Sequence, residues 1–146
     1  MDYATIAELL SRVGETRAND LSMLSVGAER TAYFTALINQ AEGIINGYAK
    51  KLFTVPIPAS YVAKEWTLTI ATMELYKKGL DNDVPIKFKY NYEEAMKQIV
   101  DMNTGDFIPP DSVDGEDEAV RAGTAGDSIS LTSNDSVFDE DNMEVF

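Results

Sequence analysis

The chain contains no cysteine and no histidine. Without cysteine there can be no disulfide, no thiolate nucleophile and no Cys-ligated zinc or iron–sulfur site. Without histidine the commonest general acid/base, metal ligand and near-neutral pH switch are missing together. An enzyme would have to run on carboxylates, lysines or tyrosines, so the expectation is a protein with no catalytic residue, no metal and no cofactor. Long apolar runs are also missing. None exceeds three residues (Tyr61-Val62-Ala63 is one), against the roughly 20 of a membrane-spanning helix. Met1-Asp2-Tyr3 opens without the basic and apolar regions of a signal peptide, which predicts a product of the cytosol with no membrane partner. Basic charge is scarce: 12 Lys+Arg stand against 25 Asp+Glu, a net −13. So acidic a chain repels phosphate backbones, which argues against a role in coating DNA or RNA.

What is present is otherwise ordinary. The 146 residues are 45% hydrophobic and 25% charged, enough for one globular domain. The charge divides unevenly along them. Residues 1–109 carry 14 acids and 11 bases, net −3, whereas residues 110–146 carry 11 acids and Arg121 alone, net −10. Pro109-Pro110 halts both helix and strand at the seam. The expectation is a helical core over 1–109 followed by an extended acidic C-terminal arm over 110–146.

Within the core the apolar spacing is helical. Ile6, Leu9, Leu10 and Val13 form a first stripe, opened by a Thr5/Glu8 capping box and closed by Gly14. Residues 15–27 are polar and read as a loop pinned by Leu21, Leu24 and Val26. A long second helix is predicted from about Ala28 to Leu52, with Phe34, Leu37, Ile38, Ala41, Ile44, Ile45, Tyr48 and Leu52 along one side. Phe53-Thr54-Val55-Pro56-Ile57-Pro58 reads as extended. A third helix spans about Ser60 to Lys78 and stops at Lys77-Lys78-Gly79, where the glycine is available for a left-handed cap. A fourth opens with a capping box at Asn91, runs to about Asn103 and breaks at Gly105, ahead of an extended Asp106-Phe107-Ile108. The predicted class is all-α: a small four-helix core whose two long members pair as an antiparallel hairpin.

Several features invite a functional reading. Gly43 and Gly47 lie four apart inside the longest helix, in line with Ala32, Ala36 and Gln40. Each helix-interior glycine costs about 1 kcal/mol relative to alanine. Ala36, Gly43 and Gly47 therefore mark a close approach, either by another helix of the chain or by a second subunit. Asp81-Asn82-Asp83 and Asp114-Gly115-Glu116-Asp117-Glu118 lack the ligand spacing of a calcium loop and read as solvated charge. Adjacent Glu93 and Glu94 point in different directions on a helix and cannot form a catalytic dyad. Lys87 and Lys89, interleaved with Phe88 and Tyr90, could make a base-stacking platform. A loop packed on the core or on a partner is the preferred reading.

The arm separates into two parts. Its centre, Asp114 to Asp127, is acidic and Gly/Ala-rich, too poor in apolar residues to offset the entropy of folding alone. Ser128-Ile129-Ser130-Leu131-Thr132 then alternates as a half-buried strand does. Val137, Phe138, Met143, Val145 and Phe146 follow among acids. Disorder is the plain reading of this end. A docking arm that adds a strand to a partner's sheet, or drops anchors into its pockets, is the sharper one, with Ile129, Leu131, Val137, Phe138, Met143, Val145 and Phe146 as contacts.

Ala41-Glu42-Gly43-Ile44-Ile45-Asn46-Gly47-Tyr48-Ala49, running into Phe53-Thr54-Val55-Pro56, resembles the head–tail adaptor (connector) proteins of tailed bacteriophages, of the Mu-like type. Tyr3-Ala4-Thr5 before Leu9-Leu10, Ile70-Ala71 with Leu75-Tyr76, and Tyr92-Glu93-Glu94-Ala95 with Ile99 agree with that family in order and spacing. The resemblance covers about residues 1–109. It implies a virion structural protein at the neck, made in the host cytoplasm, that forms a ring of twelve copies beneath the portal protein. Such proteins extend C-terminal segments onto the portal and present the opposite face to a stopper or tail-completion protein. Genomic DNA passes through the channel without specific binding. Composition alone leaves a second reading, a monomeric acidic binding protein that mimics DNA or sequesters a basic host factor. A mimic needs acids spaced along a rigid face, whereas 11 of the 25 lie in the arm.

Overall fold

The computed structural model describes residues 2–79 and 83–112, which form five α-helices and no strand. α1 (Ile6–Val13) begins at the predicted box: the Thr5 hydroxyl accepts the Glu8 N–H at 3.3 Å, and the Glu8 carboxylate accepts the Thr5 N–H at 2.9 Å. Gly14, at φ +91°, ends it in a conformation that side-chain-bearing residues rarely adopt.

The expected loop over 15–27 instead begins with a further helix, α2 (Glu15–Ser22), so the core has five helices rather than four. α2 buries only Ala18 and Leu21, too few for a periodic signal. A helix of eight residues does not hold alone. α2 is held from outside by Arg30, which donates to Asn19 Oδ1 at 2.6 Å and to the Glu15 carboxylate at 3.3 Å.

α3 (Ala28–Ala49) presents the predicted stripe to the core, with Phe34, Leu37, Ile38, Ala41 and Ile45 buried and Ile44 and Tyr48 half-buried at its edge. It stops three residues short of Leu52. The N–H groups of Leu52 and Phe53 both turn back to the Ala49 carbonyl, at 3.1 and 2.9 Å, and both side chains are buried. The following segment contains a cis Val55–Pro56 bond and buries Ile57.

α4 (Tyr61–Lys78) starts with Ser60 accepting the Ala63 N–H at 3.2 Å. It is the central helix, packed against the other four, and is buried around most of its circumference from Trp66 to Tyr76. Gly79 follows at the predicted stop, but not as a left-handed cap: its φ is −71°. The glycine is there because Leu21 of α2 comes so close that an added Cβ would lie 2.6 Å from its Cδ2.

α5 (Ile86–Thr104) starts five residues ahead of the predicted Asn91, whose capping box does not form. Pro85 sets the start, accepting from the Phe88 and Lys89 N–H groups at 2.9 and 3.2 Å. The extra turn extends the inward stripe of Ala95, Ile99 and Met102 back through Tyr92 and Phe88. Gly105, at φ +90°, closes α5 as predicted. Asp106-Phe107-Ile108 is not extended. The Phe107 N–H returns to the Asp101 carbonyl at 3.1 Å, and the Phe107 ring packs on Trp66 at 5.4 Å.

The helix directions follow from the side-chain contacts. α1 runs with α4, because Glu8 meets Lys64 at 3.1 Å and Arg12 meets Thr69 at 3.0 Å. It runs against α3, because Tyr3 meets Glu42 and Asn46 whereas Ala7 lies beside Thr35. The α3–α4 pair is therefore the expected antiparallel hairpin. α5 is antiparallel to α4: Trp66 Nε1 donates to Gln98 Oε1 at 2.9 Å and Tyr76 packs on Phe88 at the other end. No helix among the described residues is long and apolar enough to cross a membrane.

Candidate functional site

The stretch from Ala41 to Ala49 serves two opposite sides of α3. On the inner side Ile45 is fully buried, and Asn46 ties the chain together. Asn46 Oδ1 accepts the Tyr3 hydroxyl at 2.7 Å and the Ile57 N–H at 3.4 Å. One turn earlier Glu42, 7% exposed, accepts the Tyr3 N–H at 2.6 Å. The N-terminal segment and the proline-containing loop are thus both fastened to α3 by polar groups. Burial pushes the Tyr3 phenol up, and the Asn46 bond only partly offsets this.

The outer side is open. Between Glu29 and Lys50 the exposed residues of α3 are threonine, alanine, asparagine, glutamine and glycine, and none is charged. Arg30 and Glu42, the two charged residues of that interval, are buried. Ala36, Gly43 and Gly47 all lie on this face, and a Cβ added at either glycine would meet nothing within 4 Å. Lys78 of α4 reaches the same side of α3 only at Gln40, whose Oε1 accepts from its Nζ at 3.4 Å. Neither glycine has a left-handed backbone, so neither conformation nor packing against the described residues calls for it. Beside the face, a hollow of about 370 Å³ runs between α3 and the start of α1, lined by Ala4, Ile6, Thr35, Ile38 and Asn39 among others.

Other places offer less chemistry. An open groove of about 370 Å³ between α4 and α5 is rimmed by Tyr61, Glu65, Asn91 and Glu94. Glu65 is engaged by Arg12. The groups pushed from their ordinary pKa are Tyr3 and Tyr33, raised by burial, and Glu8, lowered first by the Thr5 N–H. None of these moves towards neutrality. No three acids among the described residues are grouped to hold a metal ion. Glu93 and Glu94 are exposed and mid-helix. Lys87 to Tyr90 belong to α5 rather than to a loop. The candidate contacts Ile129, Leu131, Val137, Phe138, Met143, Val145 and Phe146 lie outside the described residues.

The family described as "Bacteriophage Mu, Gp36" matches residues 3–126. The match takes in all five helices and continues past the proline seam, ending before the apolar residues of the last twenty positions. None of the curated proteins and none of the solved structures matches the chain.

Proposed function

Because the chain belongs to the Bacteriophage Mu, Gp36 family, we propose that this phage protein is a head–tail adaptor. In this reading it forms a ring beneath the portal protein, joins the DNA-filled head to the stopper or tail, and performs no catalysis. The observation that carries the reading is the uncharged outer face of α3 with its two glycines. A chain of net −13 would dissolve more readily with charge on that face. Leaving about five turns of helix neutral and small suits a neighbouring subunit that comes close to the backbone. The core supplies the ring, the acidic C-terminal segment reaches the portal, and acids facing the channel would let DNA slide without adhering.

The test is assembly of the full chain with the portal protein of the same phage, read by native mass spectrometry and electron microscopy. Wild-type protein should add a ring to the portal. Gly43→Arg and Gly47→Arg should abolish the ring while leaving the helical circular dichroism spectrum unchanged, since each side chain enters open space in the isolated subunit. Rings that form equally well with both variants would remove α3 from the interface. A monomer that ignores the portal and binds a basic host protein instead would favour the acidic decoy.

A further inference from the structure

The end of the bundle where α4 stops and α5 starts gathers positive charge in an otherwise acidic protein. Arg17 lies over the Tyr76 ring at 5.6 Å, Tyr76 packs on Phe88 at 5.5 Å, and Lys87 Nζ lies 4.9 Å from the Phe88 ring centre. Lys77 sits over the Tyr92 ring at 5.2 Å, with Glu74 at 3.5 Å. Arg12, Arg30 and Lys64 are each committed to a carboxylate elsewhere in the body, whereas Lys87 and Lys89 make no ion pair with a described residue. Ile86 and Tyr90, one turn apart and 83% and 64% exposed, stand between these lysines. The described acids nearby along the chain are Asp20, a turn beyond Arg17 on α2, then Glu74 and Asp83, and Glu93 and Glu94 a turn further along α5. An aromatic, apolar and cationic surface of this kind is complementary to an acidic segment with apolar anchors.

We propose that in the free protein this surface is occupied by the chain's own residues 137–146. That segment begins Val137-Phe138, ends Val145-Phe146, and carries four acids and no base between. Distance favours it as well. The described chain ends at Ser112, past the C-terminus of α5, whereas the basic surface lies at the N-terminus of that 19-residue helix. The separation is thus about 28 Å at 1.5 Å per residue. Residues 113–136 supply 24 residues of connector, enough to bridge that separation at up to about 3.3 Å per residue. A nucleic acid would offer similar charge complementarity, but it has no tether and must approach a body of net −13. Docking would cover the apolar anchors until a partner takes them, and the proposal stands whether or not the protein is an adaptor.

The absence of cysteine makes the test clean: Ser136→Cys in the full chain accepts one nitroxide label. Amide signals of Ile86 to Tyr90 should lose at least half their intensity at low salt. They should recover as salt rises from about 10 mM to about 1 M, where the screening length falls from about 30 to about 3 Å. Lys87→Glu with Lys89→Glu should abolish the effect in a chain whose other amide signals keep their positions. Lys50→Glu with Lys51→Glu, the same charge change at the opposite end of the bundle, should leave it intact. The proposal is overturned by an absence of broadening at this surface or by broadening centred on Lys50 and Lys51. It is equally overturned by broadening only between labelled and isotope-enriched chains, which would make the occupant a second copy. Signals that move only when an oligothymidine is added would make the surface a nucleic-acid site and also reject it.

Discussion

Asn46 joins three pieces of chain that are distant in sequence: α3, the N-terminal Tyr3 and the loop at Ile57. A Cβ added at its neighbour Gly47 would meet nothing within 4 Å among the described residues. One short motif therefore holds a residue explained by folding beside a residue that folding leaves unexplained. Among the described carboxylates Glu8 has a definite electrostatic signature. The Thr5 N–H, together with the Lys64 ammonium at 3.1 Å, holds its carboxyl below the usual carboxylate range. A carboxyl whose pKa is lower in the fold favours the folded chain above its unfolded pKa. That contribution fades as pH falls through the folded value. Glu8→Gln should therefore lower the melting temperature near neutrality and lose its deficit towards acid, the two curves converging there. A constant deficit at all pH values would show that the box, rather than the charge, carries the effect.

At the scale of elements, two glycines ask opposite questions. Gly79 sits against Leu21, and an added methyl must displace a side chain packed between α2 and α4. Gly79→Ala should cost about 1–2 kcal/mol, as small overpacking changes do. Gly47→Ala enters open space in the middle of a helix and should stabilise the isolated chain by up to about 1 kcal/mol. Urea unfolding of the two variants beside wild type measures both signs directly. A destabilised Gly47→Ala would mean that α3 is covered in the isolated chain, contrary to its open face. The element that periodicity could not find was α2, because its two buried residues leave no repeat and Arg30 holds it from another helix. The start of α5 was legible in principle: Phe88 and Tyr92 continue the spacing of Ala95 and Ile99, but Asn91-Tyr92-Glu93-Glu94 imitates a helix start.

Across the whole molecule the electrostatic terms oppose one another. Twelve copies at −13 each, the ring size that the adaptor family implies, would carry −156. The contact proposed for α3 is neutral, so the surrounding acids repel without any compensating pair at the interface. Ring formation on the portal should consequently strengthen as moderate salt screens that repulsion. Sedimentation of the assembled complex across a salt series checks this, and indifference to salt would reject the electrostatic account. Own-segment docking at the basic end has the opposite sign and should weaken with salt.

Composition and periodicity alone determined the helical class, the long antiparallel pair, the N-cap at Thr5 and the stop at Gly105. Each depends on residues within a turn or two of one another, so the local chain carries the information. They also placed Ala36, Gly43 and Gly47 on one line, leaving open whether the close approach lay inside the subunit or outside it. Only tertiary structure could decide that the two glycines of this line meet no other described part of the chain. Only it could bring Arg17, Tyr76, Phe88 and Lys87 into one stack from three helices. Which side of a helix is covered depends on the helices packed against it, and no spacing within the helix itself records that.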